Sequence, residues 1–286
     1  MHPKILIAVA LGAVSILVAS YESRAQSGDM ADSEMTPLDH LPVLTGDYFR
    51  LDSEAVGRPF HIYVNLPQSY NADSNVRYPV IFVLDADSLF PLVAPTHLFL
   101  TIDNDLPEAV IVGIAYGSLD PSINMRGYDF TAPAPDADDD QGGAADFQEF
   151  LRSELIPRIE ESYRVDSTKR ILFGQSRGGG MVLYSAFTDP DLFWGRIASN
   201  PTFEPGRELF FAPPADAGIG TLGLVVTSGS NDQPIFREAA LEWFSFWSGV
   251  EDLPWKLHTE TIDGGTHAAF APSSYRAGML WLFGLN

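Results

Sequence analysis

Arg170-Ile171-Leu172-Phe173-Gly174-Gln175-Ser176-Arg177-Gly178 is the stretch that decides how this 286-residue chain is read. An apolar run feeds directly into a G-x-S-x-G pentapeptide, and residues 179–187 then form a helix-compatible stretch. Strand, sharp turn carrying a serine, then helix is the setting of a nucleophile elbow. Such a turn holds the serine backbone in a strained conformation that only small neighbours tolerate, and Gly174 and Gly178 supply the room. Ser176 is therefore the candidate nucleophile. The blander alternative is an inert serine in a glycine-rich turn.

On either side of the elbow, strand-like and helix-like segments alternate. Residues 47–51 and 60–66 read as an antiparallel hairpin, the second segment alternating Phe60, Ile62 and Val64. The continuous apolar runs 78–84 and 109–115 read as buried parallel strands, with further strands at 195–199, 222–228 and 255–262. Helices are expected over 88–101, despite Pro91 and Pro95, and over 144–163, 235–247 and 273–283. In the second of these, Phe147, Phe150, Leu151, Leu155 and Ile159 share a face, and Pro157 is expected to kink it. Trp243 and Trp247, at helical spacing, are expected in the core. Alternation of this kind predicts an α/β fold with a mostly parallel central sheet and helices on both faces. All parallel strands then end at one edge, where ligands bind.

Residues 45–286 read as the catalytic domain and 26–44 as a flexible tether. The first 25 residues read as a secretory signal peptide: His2 and Lys4, an apolar run from Ile5 to Ala19, then Ser23-Arg24-Ala25, with cleavage expected before Gln26. The mature protein is then expected to be periplasmic or secreted, with no stable membrane insertion. With no cysteine, disulfides, thiolate metal sites and a cysteine nucleophile are all excluded. A formal net charge of −21 makes nucleic acid a poor partner. The acidic run Asp136 to Asp140 lacks the spaced oxygen ligands of a calcium loop and reads as a solvated surface. No nucleotide-type phosphate loop or zincin motif is present, so neither metal nor cofactor is expected.

A serine hydroxyl is a weak nucleophile until a base contacts it and a third group orients that base. Behind an elbow the chain order should be serine, acid, histidine. His267 follows the last strand in Asp263-Gly264-Gly265-Thr266-His267, where glycines let the loop bend back over the strand ends, and it is the candidate base. Asp232, just beyond the strand 222–228, is the candidate acid, with Glu238 on the next helix as competitor. Acyl transfer also needs two N–H donors facing the developing oxyanion. One should be the amide of Arg177. The other should be that of Ala86 or Asp87, in the loop after Leu84. Arg177, beside the serine, is a candidate substrate contact. Arg126 is another, although it and Asp129 are also consistent with an internal ion pair that fixes their loop.

Together these segments resemble the putative-esterase family of α/β-hydrolases, which includes catecholate-siderophore (enterobactin-type) esterases. The resemblance covers roughly residues 45 to 285. It rests on the run Tyr78 to Asp85, on Val112-Gly113-Ile114, on Arg126 to Pro133 and on Gly142 to Phe147. Phe150 to Pro157, Tyr163 to Asp166, the elbow, Asp189 to Phe193 and Ser199-Asn200-Pro201 complete it. It implies the α/β-hydrolase fold and hydrolysis of a small-molecule ester through Ser176 and His267, with Asp232 as the acid. The family commonly has histidine before the nucleophile, leucine or phenylalanine after it, and Ser-Pro-Ser where this chain has Ser199-Asn200-Pro201. Gln175, Arg177 and Asn200 depart from that pattern, which puts substrate preference in question. Two rival readings are an acyltransferase using the same acyl-enzyme and a non-catalytic binding protein on a hydrolase scaffold.

Overall fold

A computed structural model describes residues 41–44, 46–70, 75–135 and 137–285. The expected signal peptide and most of the expected tether lie outside these residues. The last part of that tether is described. Pro42–Leu44 form a short 3-10 turn, and Leu44 packs against the core.

Among the described residues eight strands make one sheet: β1 (Gly46–Asp52), β2 (Pro59–Asn65), β3 (Tyr78–Val83), β4 (Val110–Ala115), β5 (Val165–Gln175), β6 (Gly195–Ser199), β7 (Leu222–Gly229) and β8 (Trp255–Ile262). Their order is β1-β2-β4-β3-β5-β6-β7-β8. β1 and β2 form the antiparallel hairpin, β2 runs antiparallel to β4, and every pairing from β4 to β8 is parallel. The helices are α1 (Ala86–Asp103), α2 (Arg126–Asp129), α3 (Ala144–Phe150), α4 (Ile156–Ser162), α5 (Arg177–Thr188), α6 (Pro234–Trp247) and α7 (Ala271–Leu282). The mostly parallel α/β-hydrolase sheet expected from the sequence is thus the observed one.

Successive strand residues point to opposite faces, and each face carries its own core. Val80 and Phe82 of β3 join one core with Phe147, Phe150, Met181 and Trp243. Ile81 and Val83 join the other, with α1 residues such as Phe90 and α7 residues such as Tyr275. Fully burying side chains of this size is worth roughly 2–3 kcal/mol each, so the two covered faces fix the sheet register. Trp243 and Trp247 sit in the first core as expected. Both indole N–H groups donate to the Phe210 carbonyl at 2.9 Å, which removes the cost of burying them.

Two expectations are corrected. The helix over 144–163 does not simply bend at Pro157: a π turn, Leu151–Leu155, separates α3 from α4. Proline has no N–H to give back along the helix, and its ring crowds the carbonyl four residues earlier. The wider turn relieves that crowding before α4 restarts with Pro157 in its first turn. In α1, by contrast, the helix runs on through Pro91 and Pro95. Arg126 and Asp129 lie on the short helix α2 and do not pair with each other. Asp129 is fully buried and takes Arg58 and the Tyr116 hydroxyl, the latter at 2.8 Å. Its burial raises its pKa, more than the bonds from Arg58 and Tyr116 lower it.

Candidate active site

β5 delivers its last residue, Gln175, to the C-terminal edge of the sheet, and α5 starts two residues later. Between them Ser176 has φ 58° and ψ −117°, a backbone that serine adopts only when its surroundings enforce it. Its amide donates to the Ser199 carbonyl at 2.9 Å, and its carbonyl accepts from Gly180 and Thr202. The turn is tight enough that a Cβ on Gly174 would lie 2.3 Å from the Gly178 carbonyl oxygen, so glycine is obligatory there.

The base and the acid arrive from neighbouring strand ends. His267 lies in the loop after β8 and Asp232 in the turn after β7. Glycines let these loops touch: the Asn231 amide donates to the Gly265 carbonyl at 2.7 Å. A Cβ on Gly229 would lie 2.3 Å from that same oxygen. His267 Nε2 stands 2.9 Å from Ser176 Oγ, and Nδ1 stands 3.0 and 3.1 Å from the two Asp232 oxygens. The Asp232 side chain is 1% exposed and that of His267 is 19% exposed, so the acid is dry and the base is reachable. With a proton on Nδ1 donated to Asp232, Nε2 is free to accept the serine proton. The competitor, Glu238, is exposed on α6 and forms no hydrogen bond or ion pair with the imidazole.

The amides of Ala86 and Asp87 open α1, and that of Arg177 opens α5. First-turn amides have no acceptor within their helix, and the helix dipole adds positive potential there. The Asp87 side chain does separate work. It accepts from the Tyr116 and Gly117 amides at 2.9 and 2.8 Å, which ties the end of β4 to the start of α1.

Arg126 is held by Asp85 through bonds of 2.6 and 2.8 Å. Burial works against its charge, but the bonds and field of Asp85 win and raise its pKa. Arg177 is exposed at the rim, and its side chain makes no hydrogen bond or ion pair to another described residue. Ser176 lies at the junction of two cavities, and Arg126 lines both. The larger, about 840 Å³, is lined by Arg177, Pro201, Phe203, Ile235 and Phe236. The smaller, about 170 Å³, is lined by Asp85, Asp87, Ser88, Leu119 and Gln175. Another cleft of about 840 Å³, between Phe211 and Lys256, contains neither serine nor histidine and lies apart from this chemistry. No group of His, Asp or Glu among the described residues could hold a metal ion, and no helix among them is long and apolar enough to cross a membrane.

Sequence reasoning missed four supports of the site. Phe236 stacks on the His267 ring, with centroids 4.1 Å apart. Asp85 is the anchor of Arg126. Gln175 and Asn200, read from sequence as bearing on substrate preference, donate to the His267 carbonyl at 2.6 and 2.9 Å. The only advance signal for the last two was that they depart from a common pattern.

Comparison with known proteins bears on the family and the fold. The model of the Putative esterase family matches residues 53–279. The ferri-bacillibactin esterase of Bacillus subtilis is 34% identical over 201 residues, 65% of this chain and 65% of that protein. The siderophore triacetylfusarinine C esterase of Aspergillus fumigatus is 28% identical over 57% of each chain. The alignments therefore span somewhat less than two thirds of these relatives' length. The crystal structure of the BES protein from Bacillus cereus superimposes with a TM-score of 0.70 at 25% identity, covering 82% of this chain and 94% of that one.

Proposed function

The chain belongs to the Putative esterase family, and from that premise we propose that it is a serine hydrolase of siderophore-type or aromatic carboxylic esters, working through an acyl-enzyme. The observation that carries the reading is the unbroken chain of contacts from Asp232 through His267 to Ser176 Oγ, with steps of 3.0 and 2.9 Å. The named activities of the similar proteins, bacillibactin and fusarinine-type esterases, support the substrate class.

In this mechanism Ser176 Oγ attacks the ester carbonyl as His267 Nε2 takes its proton. Asp232 stabilises the imidazolium and keeps the ring oriented. The carbonyl oxygen becomes an oxyanion held by the Arg177 amide and by that of Ala86 or Asp87. Fixed donors of this kind are each worth about 3 kcal/mol in the transition state. The imidazolium then protonates the leaving alcohol. Water, deprotonated by His267, releases the acid and restores Ser176. Arg177 faces the larger cavity as the contact for an anionic or catecholate part of the substrate.

Labelling with a fluorophosphonate probe tests the nucleophile. Wild-type protein should label and Ser176→Ala should not, with kcat falling by several orders of magnitude, about 10⁴-fold or more. Wild-type-like turnover by Ser176→Ala would refute the reading. Running the same ester panel with and without an acceptor alcohol separates hydrolysis from acyl transfer. We further read residues 1–25 as a signal peptide. N-terminal sequencing of the exported protein should then begin at or next to Gln26, and a cytoplasmic protein retaining Met1 would overturn that.

A further inference from the structure

The loop that carries His267 contains Gly264 and Gly265, and Gly264 has φ +68° with open space where a Cβ would sit. Glycine restrains a backbone less than any other residue. Something else must hold the imidazole at hydrogen-bond reach of a serine 91 residues away. The side-chain contacts with Asp232 and Ser176 fix the ring only if the backbone beneath it is already in place.

Two side-chain amides meet that backbone. Gln175 Nε2 donates to the His267 carbonyl at 2.6 Å, and Asn200 Nδ2 donates to the same oxygen at 2.9 Å. Asn200 Nδ2 also lies 3.3 Å from the Thr266 carbonyl. Gln175 is the residue immediately before the nucleophile. Asn200 is the residue immediately after β6, in the left-handed region with φ 41°, which asparagine tolerates better than most residues. The orientation of its amide is settled by its other end, because Oδ1 accepts the Gly229 N–H at 2.7 Å. The Asn200 amide itself donates to the Thr227 carbonyl. Asn200 is therefore bonded at once to the end of β7, from which the Asp232 turn departs, and to the loop bearing the base.

We propose that Gln175 and Asn200 are positioning residues that act jointly on one atom, the carbonyl oxygen of His267, and so set the reach of its imidazole to Ser176. The inference rests on the triad reading above. Each amide donates to an oxygen that the other also holds. Loss of one leaves the carbonyl bonded, whereas loss of both leaves a partly buried carbonyl without these partners and the loop held only further back, at Gly264 by Ser230 Oγ and at Gly265 by the Asn231 amide. The two contributions should therefore be strongly non-additive.

The test uses the full chain with Gln175→Met, Asn200→Asp and the double variant. Gln175→Met keeps length and removes the donors. Asn200→Asp keeps an acceptor for the Gly229 N–H and removes the donor to His267. Turnover of p-nitrophenyl butyrate, KM and Tm are measured for each. The expected result is a kcat loss of about 3- to 10-fold in each single variant and of about 300-fold or more in the double, beyond the product of the singles. KM should stay within about 2-fold throughout, because neither amide is assigned to substrate. A double variant whose loss equals the product of the singles would overturn the joint action. Unchanged kcat in all three would overturn the positioning role, and so would losses that track Tm alone. If Ser176→Ala also turns over normally, the triad reading itself has failed. If Ser176→Ala is inactive while these variants are unimpaired, only the present inference has.

Discussion

Asp85 grips Arg126 with two parallel bonds, Nε to Oδ1 at 2.6 Å and Nη2 to Oδ2 at 2.8 Å, across the mouth of the site. Asp85 is itself in the left-handed region, with φ 54° and ψ 39°, and the next two residues are Ala86 and Asp87. The pair therefore joins α2 to the loop that presents the candidate oxyanion donors. Arg126 Nη2 also reaches the Gln175 carbonyl at 3.4 Å, next to the nucleophile. A guanidinium so engaged is better placed to hold this loop than to capture an incoming anion.

Arg126→Leu should accordingly act as a structural lesion as well as a kinetic one. It leaves the Asp85 carboxylate, only 10% exposed, without its cation. Stability in urea should fall by about 3 kcal/mol, and kcat for an uncharged ester should fall by about 10-fold or more as the oxyanion loop loosens. Adding Asp85→Asn should recover part of the stability, because the stranded charge is then gone. If Arg126→Leu changes neither stability nor kcat and raises KM only for anionic esters, the arginine is a substrate ligand instead.

The elbow and the acid give a second set of outcomes. Ser176→Ala removes the hydroxyl but keeps a side chain at φ 58°. Ser176→Gly removes both the hydroxyl and the penalty for a Cβ there. The glycine variant should be more stable than the alanine variant by about 1 kcal/mol, both being inactive. Asp232→Asn should lower kcat by about 10³-fold or more, and Glu238→Gln by less than about 2-fold. Greater damage from Glu238→Gln would reassign the acid.

The elbow was legible because it is local: two glycines, a serine and an apolar strand stand within nine residues. The order of Ser176, Asp232 and His267 was legible because parallel strands bring successive loops to one edge. The Arg58 bond to Asp129 was not, since its partners lie 71 residues apart, and neither was the Arg126 bond to Asp85, 41 residues apart. Each looks like any other surface charge until the sheet is assembled. The chain offered Asp129 as a nearby partner for Arg126, but both sit on one turn of α2 and each reaches away from it. The joint hold of Gln175 and Asn200 on His267 was hidden for a related reason. Its acceptor is a backbone carbonyl, which leaves no residue-type signature. The π turn at Leu151–Leu155 was hidden because proline announces a disruption without saying which neighbouring turn absorbs it.

His97 supplies a pH prediction remote from the catalytic groups. It lies on the buried face of α1, 3% exposed, with Nδ1 2.8 Å from the Tyr275 hydroxyl of α7 and Nε2 3.1 Å from the Pro107 carbonyl. The carbonyl requires a proton on Nε2, so Nδ1 accepts from the tyrosine and the ring is neutral. Burial lowers its pKa to about 4, against 6.5 for an ordinary histidine. Between those values the unfolded chain binds a proton that the folded chain refuses. Stability should therefore be intact above pH 6.5 and fall as pH drops towards 4, by about 3 kcal/mol in total from this residue. Urea denaturation at a series of pH values should show a shallower acid slope for His97→Gln than for wild type. Parallel slopes would mean that other groups carry the acid sensitivity.

Substrate choice is the last outcome, and Arg177 is the residue to probe. Arg126 is engaged by Asp85, and Arg207, which also lines the larger cavity, is engaged by Glu242 at 2.6 Å. Arg177 keeps its charge unpaired among the described residues, beside Ser176, in a chain of net charge −21. An anionic or catecholate group meets mostly repulsion elsewhere on such a surface and attraction here. Leu119 on the smaller cavity and Ile235 on the larger are 73% and 72% exposed, so each side of the serine also offers apolar contact to an aromatic arm. The expected ranking in kcat/KM places short, cinnamoyl and catecholate trilactone esters above long-chain triglycerides. Arg177→Leu should lower kcat/KM for the trilactone by about 10-fold and leave the acetyl ester within about 2-fold. A strong preference for emulsified long-chain esters would sink the substrate class. An unchanged ranking in Arg177→Leu would remove the arginine from recognition and leave the apolar rims to account for it, which Leu119→Ser and Ile235→Ser would then have to show as a rise in KM for aromatic esters.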